Sequence, residues 1–258
     1  MNLTDLSTIK SLLKKHALFA KKFLGQNFLI NSDVLNKIVE TANIKDSEHI
    51  IEVGPGLGVL TRELAQKAKK VTSIELDKSL FPILEETLNE FSNVEIIHGD
   101  ALRTEPPKSK YKVVANIPYN ITSPLINHYL QTKNKPESIT MLIQKEVAEK
   151  IVKLTPDMTI LSLQVALFGE AKLIQKVTAN SFYPAPKVDS AIIHIDVNQN
   201  IDNEEALKIL KLAKRAFKQR RKKLSNTLGD MKEKLIKLGI EDKRPQHLKI
   251  DEWKKLLK

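Results

Sequence analysis

The stretch Ile50-Ile51-Glu52-Val53-Gly54-Pro55-Gly56-Leu57-Gly58 decides the fold that we predict for this chain. A short apolar segment, Ile50–Val53, runs directly into three glycines, and Leu60–Ala68 then has the apolar spacing of an amphipathic helix. Glycines after a strand let the backbone turn tightly and let a ligand lie close against it. The stretch therefore predicts a strand, a ligand-binding loop and a helix.

Apolar strands and helical segments continue to alternate after this stretch. Such alternation predicts an α/β fold with a Rossmann-like, mostly parallel sheet and helices on both faces. The last strand candidate, Val188–Val197, alternates in the way that suits an antiparallel strand. The other predicted strands are Val71–Glu75, Val94–His98, Tyr111–Ala115, Ile139–Ile143 and Leu161–Phe168, and Leu80–Phe91 is a predicted helix.

The positive charge of the chain is concentrated near its C-terminus. The net charge is +11, and residues 206–258 hold 18 Lys and Arg against 6 Asp and Glu. Residues 1–205 hold 24 basic and 25 acidic side chains and are nearly neutral. A local cationic surface suits a polyanion such as a nucleic acid. The alternative is a solvated lysine-rich face that serves solubility alone.

The change in composition also predicts two domains. Residues 1–197 form the α/β domain and begin with a basic segment, 1–22, that has helical character. A polar linker, Asn198–Glu205, precedes apolar residues at helical spacing, so 198–258 is predicted to be a small all-helical domain. Its predicted apolar face consists of Leu207, Leu210, Ala213 and Phe217, with Ile209, Leu212 and Ala216 beside them.

Composition excludes several classes of protein. The 258 residues include no cysteine, which excludes disulfides, thiolate metal sites and cysteine nucleophiles and suits a reducing cytoplasm. No apolar run approaches the roughly 18 residues that span a bilayer. We therefore expect a cytoplasmic protein with no membrane contact and no metal site.

The glycine loop and two acidic residues predict the kind of ligand. Glu75 lies 21 residues after Gly54, where a carboxylate reaches the hydroxyls of a ribose, and Asp100 could accept a hydrogen bond from an adenine amine. The loop is not a dinucleotide Gly-x-Gly-x-x-Gly pattern, no Gly-Lys-Ser/Thr follows, and Pro55 removes a donor that a pyrophosphate would use. An adenosine ligand without phosphates fits better, and S-adenosylmethionine (SAM) is the common one. The alternative is that both acids are ordinary strand-end turn residues.

The tetrapeptide Asn116-Ile117-Pro118-Tyr119 follows the fourth predicted strand and has the composition of a site for amine methylation. An adenine N6 amine is a poor nucleophile, so a site must accept hydrogen bonds from its N–H groups, as the Asn116 oxygen and the Ile117 carbonyl can. Pro118 holds Ile117 extended, and Tyr119 offers a ring for stacking. Phe182, in a second loop stiffened by two prolines, could hold the other face of a flipped base, or could simply fill the core.

Taken together, these motifs resemble the KsgA family of rRNA adenine N6,N6-dimethyltransferases. The resemblance runs from Lys22 to about Leu228. It rests on the glycine loop, Glu75, Asp100 and the following segments: Phe23-Leu24-Gly25-Gln26-Asn27-Phe28-Leu29, Asn116-Ile117-Pro118-Tyr119-Asn120-Ile121, Leu142-Ile143-Gln144-Lys145-Glu146-Val147, 182–190, and Ala216-Phe217-Lys218-Gln219-Arg220-Arg221-Lys222-Lys223-Leu224.

The resemblance implies a class I SAM methyltransferase that dimethylates two adjacent adenosines near the 3′ end of small-subunit rRNA. It implies a monomer that acts on a pre-ribosomal particle, with a catalytic domain over 1–197 and an RNA-binding domain over 198–258. Tyr119 and Phe182 would flank the base, beside the catalytic Asn116. The implied cofactor contacts are Asn27, Leu29, Gly54, Glu75, Asp100 and Asn116, and the implied RNA contacts are Arg220, Arg221, Lys222 and Lys223.

Three other functions remain possible at this point. The closest is an Erm-like enzyme that methylates large-subunit rRNA; residues 182–190 and 219–222 favour the KsgA reading. The second is a non-catalytic RNA-binding or transcription factor of related descent, which the intact Asn116 and Tyr119 disfavour. The third, a DNA adenine methyltransferase, would need a further recognition domain. Two departures from the family pattern are Ala115, where glycine is usual, and Thr159-Ile160-Leu161-Ser162, where the family has Tyr-Gly-x-Leu-Ser.

Overall fold

A computed structural model describes residues 1–257, which divide into two compact units. The first unit consists of Met1–Ala148 and Lys172–Val197, and the second of Glu149–Ala171 and the residues from Asn198 onward. The predicted α/β domain thus contains a segment, 149–171, that the structure groups with the second unit.

The first unit is built on a seven-stranded sheet. The strands of the chain are β1 (Phe28–Leu29), β2 (His49–Val53), β3 (Lys70–Glu75), β4 (Val94–His98), β5 (Lys112–Asn116), β6 (Ser138–Gln144), β7 (Gly169–Val177), β8 (Phe182–Tyr183) and β9 (Ser190–Val197). The order across the sheet is β4-β3-β2-β5-β6-β9-β7. The first five strands in this order run parallel, and β9 runs antiparallel to β6. The structure confirms the mostly parallel sheet and the antiparallel late strand.

Helices lie between most of the strands, as the alternating pattern predicts. They are α1 (Leu6–Lys15), α2 (Ser32–Ala42), α3 (Val59–Ala65), α4 (Phe81–Leu88), α5 (Thr122–Gln131), α6 (Lys145–Val152), α7 (Ile160–Phe168), α8 (Asn203–Phe217), α9 (Leu224–Thr227), α10 (Lys232–Lys237) and α11 (Ile250–Lys255). Local sequence accounts for several of their starts. The Asn31 side chain accepts a hydrogen bond from the Val34 N–H and caps α2, and Asp5 caps α1 in the same way.

The prediction of a strand over Leu161–Phe168 is wrong, because these residues belong to α7. The helix begins with a capping box, in which the Ser162 N–H donates to the Thr159 hydroxyl and the Thr159 N–H donates to the Ser162 hydroxyl. A helix that is apolar on nearly all sides shows no helical period, so its sequence resembles a buried strand. The strand of this region is β7, which follows directly and which the sequence pattern did not predict.

The second unit is helical and has a core of its own. Helices α7, α8 and α11 pack against one another, and the ring of Trp253 stacks on that of Phe217 with 6.2 Å between centroids. Helix α8 begins inside the predicted linker because the Asp202 carboxylate accepts hydrogen bonds from the backbone N–H groups of Glu204 and Glu205. Leu207 is the exception on the predicted apolar face of α8, because 41% of its surface is exposed. The residues that α8 buries are Ala206, Ile209, Leu210, Leu212, Ala213 and Ala216.

Residues 1–257 include no helix that is both long enough and apolar enough to cross a membrane.

Candidate active site

A cleft lies at the carboxyl edge of the sheet in the first unit. Strands β2, β3, β4 and β5 are parallel, so the residues at their carboxyl ends meet at one edge, where open α/β sheets bind ligands. The cleft is lined by all eight residues that the sequence predicts for cofactor and base. They are Asn27, Leu29, Gly54, Glu75, Asp100, Asn116, Tyr119 and Phe182.

The glycine loop after β2 depends on backbone angles that favour glycine. Gly54, Gly56 and Gly58 have φ angles of 71°, 61° and 87°, in the left-handed region. A Cβ atom on Gly58 would also come within 2.9 Å of the Thr87 hydroxyl oxygen. The three glycines are therefore needed for the turn itself, as well as for the close approach of a ligand.

Glu75 ends β3 and holds the glycine loop. One of its carboxylate oxygens accepts a hydrogen bond from the Gly56 N–H at 3.2 Å, and the other accepts from the Asp77 N–H at 2.7 Å. Burial raises the pKa of Glu75 above its ordinary value, although these two N–H groups partly oppose the shift. The side chain is thus a buried acceptor at the floor of the cleft.

Asp77 does not line the cleft but holds Gln26, which does, and sequence reasoning missed this supporting role. Its carboxylate accepts hydrogen bonds from Lys21 Nζ at 2.7 Å, Gln26 Nε2 at 2.8 Å and the Ser79 hydroxyl at 2.7 Å. Burial acts to raise the pKa of Asp77, but the bonds from Lys21, Ser79 and Gln26 outweigh it and lower the pKa to about 2. The ionised Asp77 therefore anchors the N-terminal segment to the end of β3. The only sequence signal was its place two residues after Glu75.

Glu52 lies behind the glycine loop and is 1% exposed. Its Oε2 accepts hydrogen bonds from the Thr61 hydroxyl at 2.7 Å and the Ser73 hydroxyl at 2.6 Å, and so joins β2, α3 and β3. Burial raises the pKa of Glu52 to about 7, although the two hydroxyl groups oppose the shift. Glu52 therefore ties the strand before the glycine loop to its neighbours, and it also lines the cleft.

We expect Glu52→Gln to remove a pH dependence of stability. The pKa is higher in the folded chain, about 7 against an ordinary 4.5, so the folded state binds more protons between these values. The free energy of unfolding of the wild type should then fall by about 3 kcal/mol as pH rises from 4.5 to 7. Urea unfolding from pH 5 to pH 8 measures this, with the exposed Glu85→Gln as control. Parallel curves for wild type and E52Q would contradict the prediction.

The strands β1 and β8 bring two distant segments of the chain to the cleft. They pair antiparallel, with Leu29 opposite Phe182, and the Ile30 N–H donates to the Ser181 carbonyl. Phe182 is only 4% exposed and packs in the hydrophobic core beside Leu29 and Ile192. Phe182 therefore has a packing role next to the cleft, and its role against a base stays a prediction.

The tetrapeptide begins at the last residue of β5 and turns into the cleft. Asn116 ends the strand, Pro118 has an extended ψ of 135°, and Tyr119 opens a short 3₁₀ turn. The Tyr119 hydroxyl shares a 2.6 Å hydrogen bond with the hydroxyl of Ser190, which is fully buried at the start of β9. Burial raises the pKa of Tyr119, so its phenol stays neutral. Ala115, the unusual residue before Asn116, has its methyl group buried within the sheet.

Ser190 should act through Tyr119, because its hydroxyl holds the Tyr119 phenol in one orientation. We expect Ser190→Ala to lower kcat/KM about tenfold, the usual cost of one buried hydrogen bond, with SAM affinity unchanged. In the Tyr119→Phe background, which lacks the phenol oxygen, Ser190→Ala should have no further effect. A double-mutant cycle with methyl-transfer kinetics measures this coupling. Independent, additive losses would contradict the assignment.

The four basic residues predicted to contact RNA lie in the second unit, after α8. Arg220, Arg221 and Lys222 are exposed, whereas Lys223 forms an ion pair with Asp242 at 2.8 Å. The first three therefore present free cationic groups among the described residues, and Lys223 is partly neutralised.

Comparison with known proteins decides the family. The profile of the family described as ribosomal RNA adenine dimethylase matches residues 18–257. The chain belongs to this family. A ribosomal RNA small subunit methyltransferase A from Dehalococcoides mccartyi is 41% identical over 263 residues, which cover 96% of this chain and 90% of that protein. A protein of the same name from Clostridium botulinum is 39% identical over 267 residues, with 96% of each chain covered.

Solved structures confirm the fold as that of a class I SAM-dependent methyltransferase. A dimethyladenosine transferase from Plasmodium falciparum has 28% identity and a TM-score of 0.78, covering 89% of this chain and 95% of its own. The 23S rRNA methyltransferase ErmE has 29% identity and a TM-score of 0.74, covering 89% of this chain and 98% of its own. The family and the fold both imply SAM as the methyl donor, in agreement with the ligand predicted from the glycine loop.

Proposed function

We propose that this chain dimethylates the N6 amines of two adjacent adenosines near the 3′ end of small-subunit rRNA, with SAM as methyl donor. The observation that carries the proposal is the position of Asn116-Ile117-Pro118-Tyr119 in one cleft with Glu75 and the glycine loop. The relatives from Dehalococcoides and Clostridium support the choice of the small subunit. Its substrate is a pre-ribosomal particle in the cytoplasm, and the enzyme works as a monomer in ribosome biogenesis.

The donors and acceptors of the cleft fit an adenosine-containing cofactor. Glu75 offers a buried carboxylate for two ribose hydroxyls, and Asp100 follows β4 at the same edge, where it can accept from an adenine amine. Asn27, Leu29 and Gly54 line the remaining wall. When bound there, SAM supplies an electrophilic methyl group on a sulfonium.

The residues of the chain then act by positioning. The Asn116 side-chain oxygen and the Ile117 carbonyl accept hydrogen bonds from the adenine N6, which favours a tetrahedral nitrogen with an available lone pair. Tyr119 stacks on the base, and its ring face favours the positive charge that develops during transfer. The cleft needs no strong base, because the amine proton becomes acidic once the nitrogen is methylated. Holding the two reactants in line provides most of the rate enhancement.

A second candidate is an Erm-like activity on large-subunit rRNA, which the likeness to ErmE favours. The two activities differ in the RNA that is recognised and share the chemistry of the cleft. The deciding experiment offers labelled SAM with unmethylated small-subunit particles, large-subunit RNA and DNA, followed by primer extension. We expect label on two adjacent adenosines of the small-subunit RNA. Label on large-subunit RNA alone would overturn the proposal.

The basic loop after α8 should contribute to RNA affinity by neutralising phosphates. Replacing Arg220 and Arg221 with glutamine should reduce the slope of log affinity against log salt by about one unit for each phosphate that is no longer neutralised. Filter binding to rRNA at salt concentrations from about 50 to 200 mM measures the slope. The exposed Lys67→Gln, in the first unit, is the matched control. An unchanged slope in the double variant would place these arginines outside the interface.

A further inference from the structure

Phe23 is the most exposed large apolar side chain among the described residues, with 81% of its surface accessible. It lies in a 3₁₀ turn, Lys22–Leu24, and lines the same cleft as Asn116 and Tyr119. A single exposed apolar residue needs no explanation, but an aromatic ring at the mouth of a binding cleft can take part in binding. None of the roles derived above uses this ring.

The turn that carries Phe23 is fixed on both sides. Before it, Lys21 Nζ binds the Asp77 carboxylate at 2.7 Å, and after it, Gln26 Nε2 binds the same carboxylate at 2.8 Å. Gly25, with φ of 68°, packs so closely on Pro118 that a Cβ atom there would lie 3.0 Å from the Pro118 Cβ. The exposed ring therefore stands on a rigid turn that touches the tetrapeptide.

The residue that immediately precedes Phe23 is cationic. Lys22, next in the chain, is exposed, and the described residues include no ion pair for it. Proteins hold single-stranded nucleic acid by combining aromatic rings, on which the bases stack, with nearby cationic side chains that attract the phosphates, and Phe23 with Lys22 offers one of each.

We propose that Phe23 stacks on the nucleotide next to the adenosine that enters the cleft, and so positions the RNA strand at the cleft mouth. The inference rests on the proposed function, because the strand must deliver an adenosine to Asn116. It adds a subsite for a neighbouring base outside the cleft, while Tyr119 stacks on the target base inside it. The alternatives are that Phe23 covers the bound cofactor or contacts no ligand.

The test measures the affinity of a fluorescein-labelled octamer of adenosine by anisotropy, with the full chain saturated by S-adenosylhomocysteine. Stacking on one base contributes about 1–3 kcal/mol, so Phe23→Ala should weaken binding about tenfold. Phe23→Leu, which keeps an apolar side chain without the ring, should weaken it as much, and Phe23→Trp should retain it. Phe19→Ala is the matched control, because Phe19 is 74% exposed in the same segment but does not line the cleft.

Several outcomes would overturn the proposal. If F23A binds the octamer as tightly as the wild type, the ring contacts no RNA. Wild-type binding by F23L would indicate an apolar contact and exclude stacking. A Kd for SAM that rises in F23A, measured by calorimetry, with unchanged octamer affinity would make Phe23 a cover for the cofactor. The octamer assay does not depend on which rRNA the wild type methylates, so failure of the proposed function is recognised separately, from the labelling experiment.

Discussion

Replacing Asn116 with alanine should lower kcat by roughly a thousandfold while leaving the affinity for rRNA nearly unchanged. In the proposed mechanism the side-chain oxygen is the acceptor that prepares the adenine amine, and the loss of one such preorganised group typically costs about 10²–10³-fold in rate. Asn116 ends β5, so the rigid sheet holds this oxygen in place at the cleft. Single-turnover methylation of unmethylated small-subunit particles measures the rate, and filter binding measures the affinity.

The matched control is Asn36→Ala, which removes an exposed amide from α2 at a position that does not line the cleft. We expect this control to stay within about threefold of the wild-type rate, as surface substitutions usually have small effects. If N116A loses RNA binding, Asn116 would have a role in the interface. If N116A turns over at the rate of the control, its oxygen would not be the acceptor for the amine.

Replacing Glu75 with alanine should raise the Kd for SAM about 100-fold or more. Hydrogen bonds to a charged group contribute about 1.5–3 kcal/mol each, and the carboxylate can accept from two ribose hydroxyls. The change would also release the Gly56 N–H, which Glu75 now holds at 3.2 Å. Calorimetric titration with SAM measures the effect, and circular dichroism shows whether the variant remains folded.

A pH series separates the ribose contact from the structural contact. Burial raises the pKa of Glu75, and only the ionised form accepts at both oxygens, so wild-type affinity for SAM should decrease as pH falls toward that pKa. Glu75→Gln cannot titrate, and its weaker affinity should not change over the same range. Asp100→Asn serves as a second control and should lose less affinity, since Asp100 is more exposed. If the SAM affinity of E75Q still changed with pH, the titration would belong to another group.

Local pattern was sufficient for the central elements of the fold and for the candidate site. The segment Ile50–Gly58 is a strand and glycine loop, and the residues predicted for the site lie in one cleft. Glu75, Asp100 and Asn116 meet in this cleft because a parallel sheet places every carboxyl end at the same edge, so the position of a residue after a strand already determines where it lies. Asn116 and Glu75 needed no further information.

Other features depend on partners that are distant in the chain. Asp77 carries no local signal beyond its place two residues after Glu75, and its supporting role comes from Lys21 and Gln26, about 50 residues earlier. Ser190 looks like an ordinary strand residue in the sequence, and only the fold brings it to the hydroxyl of Tyr119, 71 positions away. The sequence of α7 wrongly predicts a strand, because burial on nearly all sides removes the period by which a helix is recognised.

The amino-acid sequence of this protein determines the central strands of the sheet, the glycine loop, the Asn116–Tyr119 tetrapeptide and the family. These are local patterns with a physical cause within a few residues, such as turn geometry and the chemistry of an amine site. Tertiary structure alone decides that Phe182 is buried, that Phe23 is exposed at the cleft mouth, and that 149–171 joins the helical unit. Burial depends on which surfaces meet when the chain is compact, and a pattern along the chain does not contain that information.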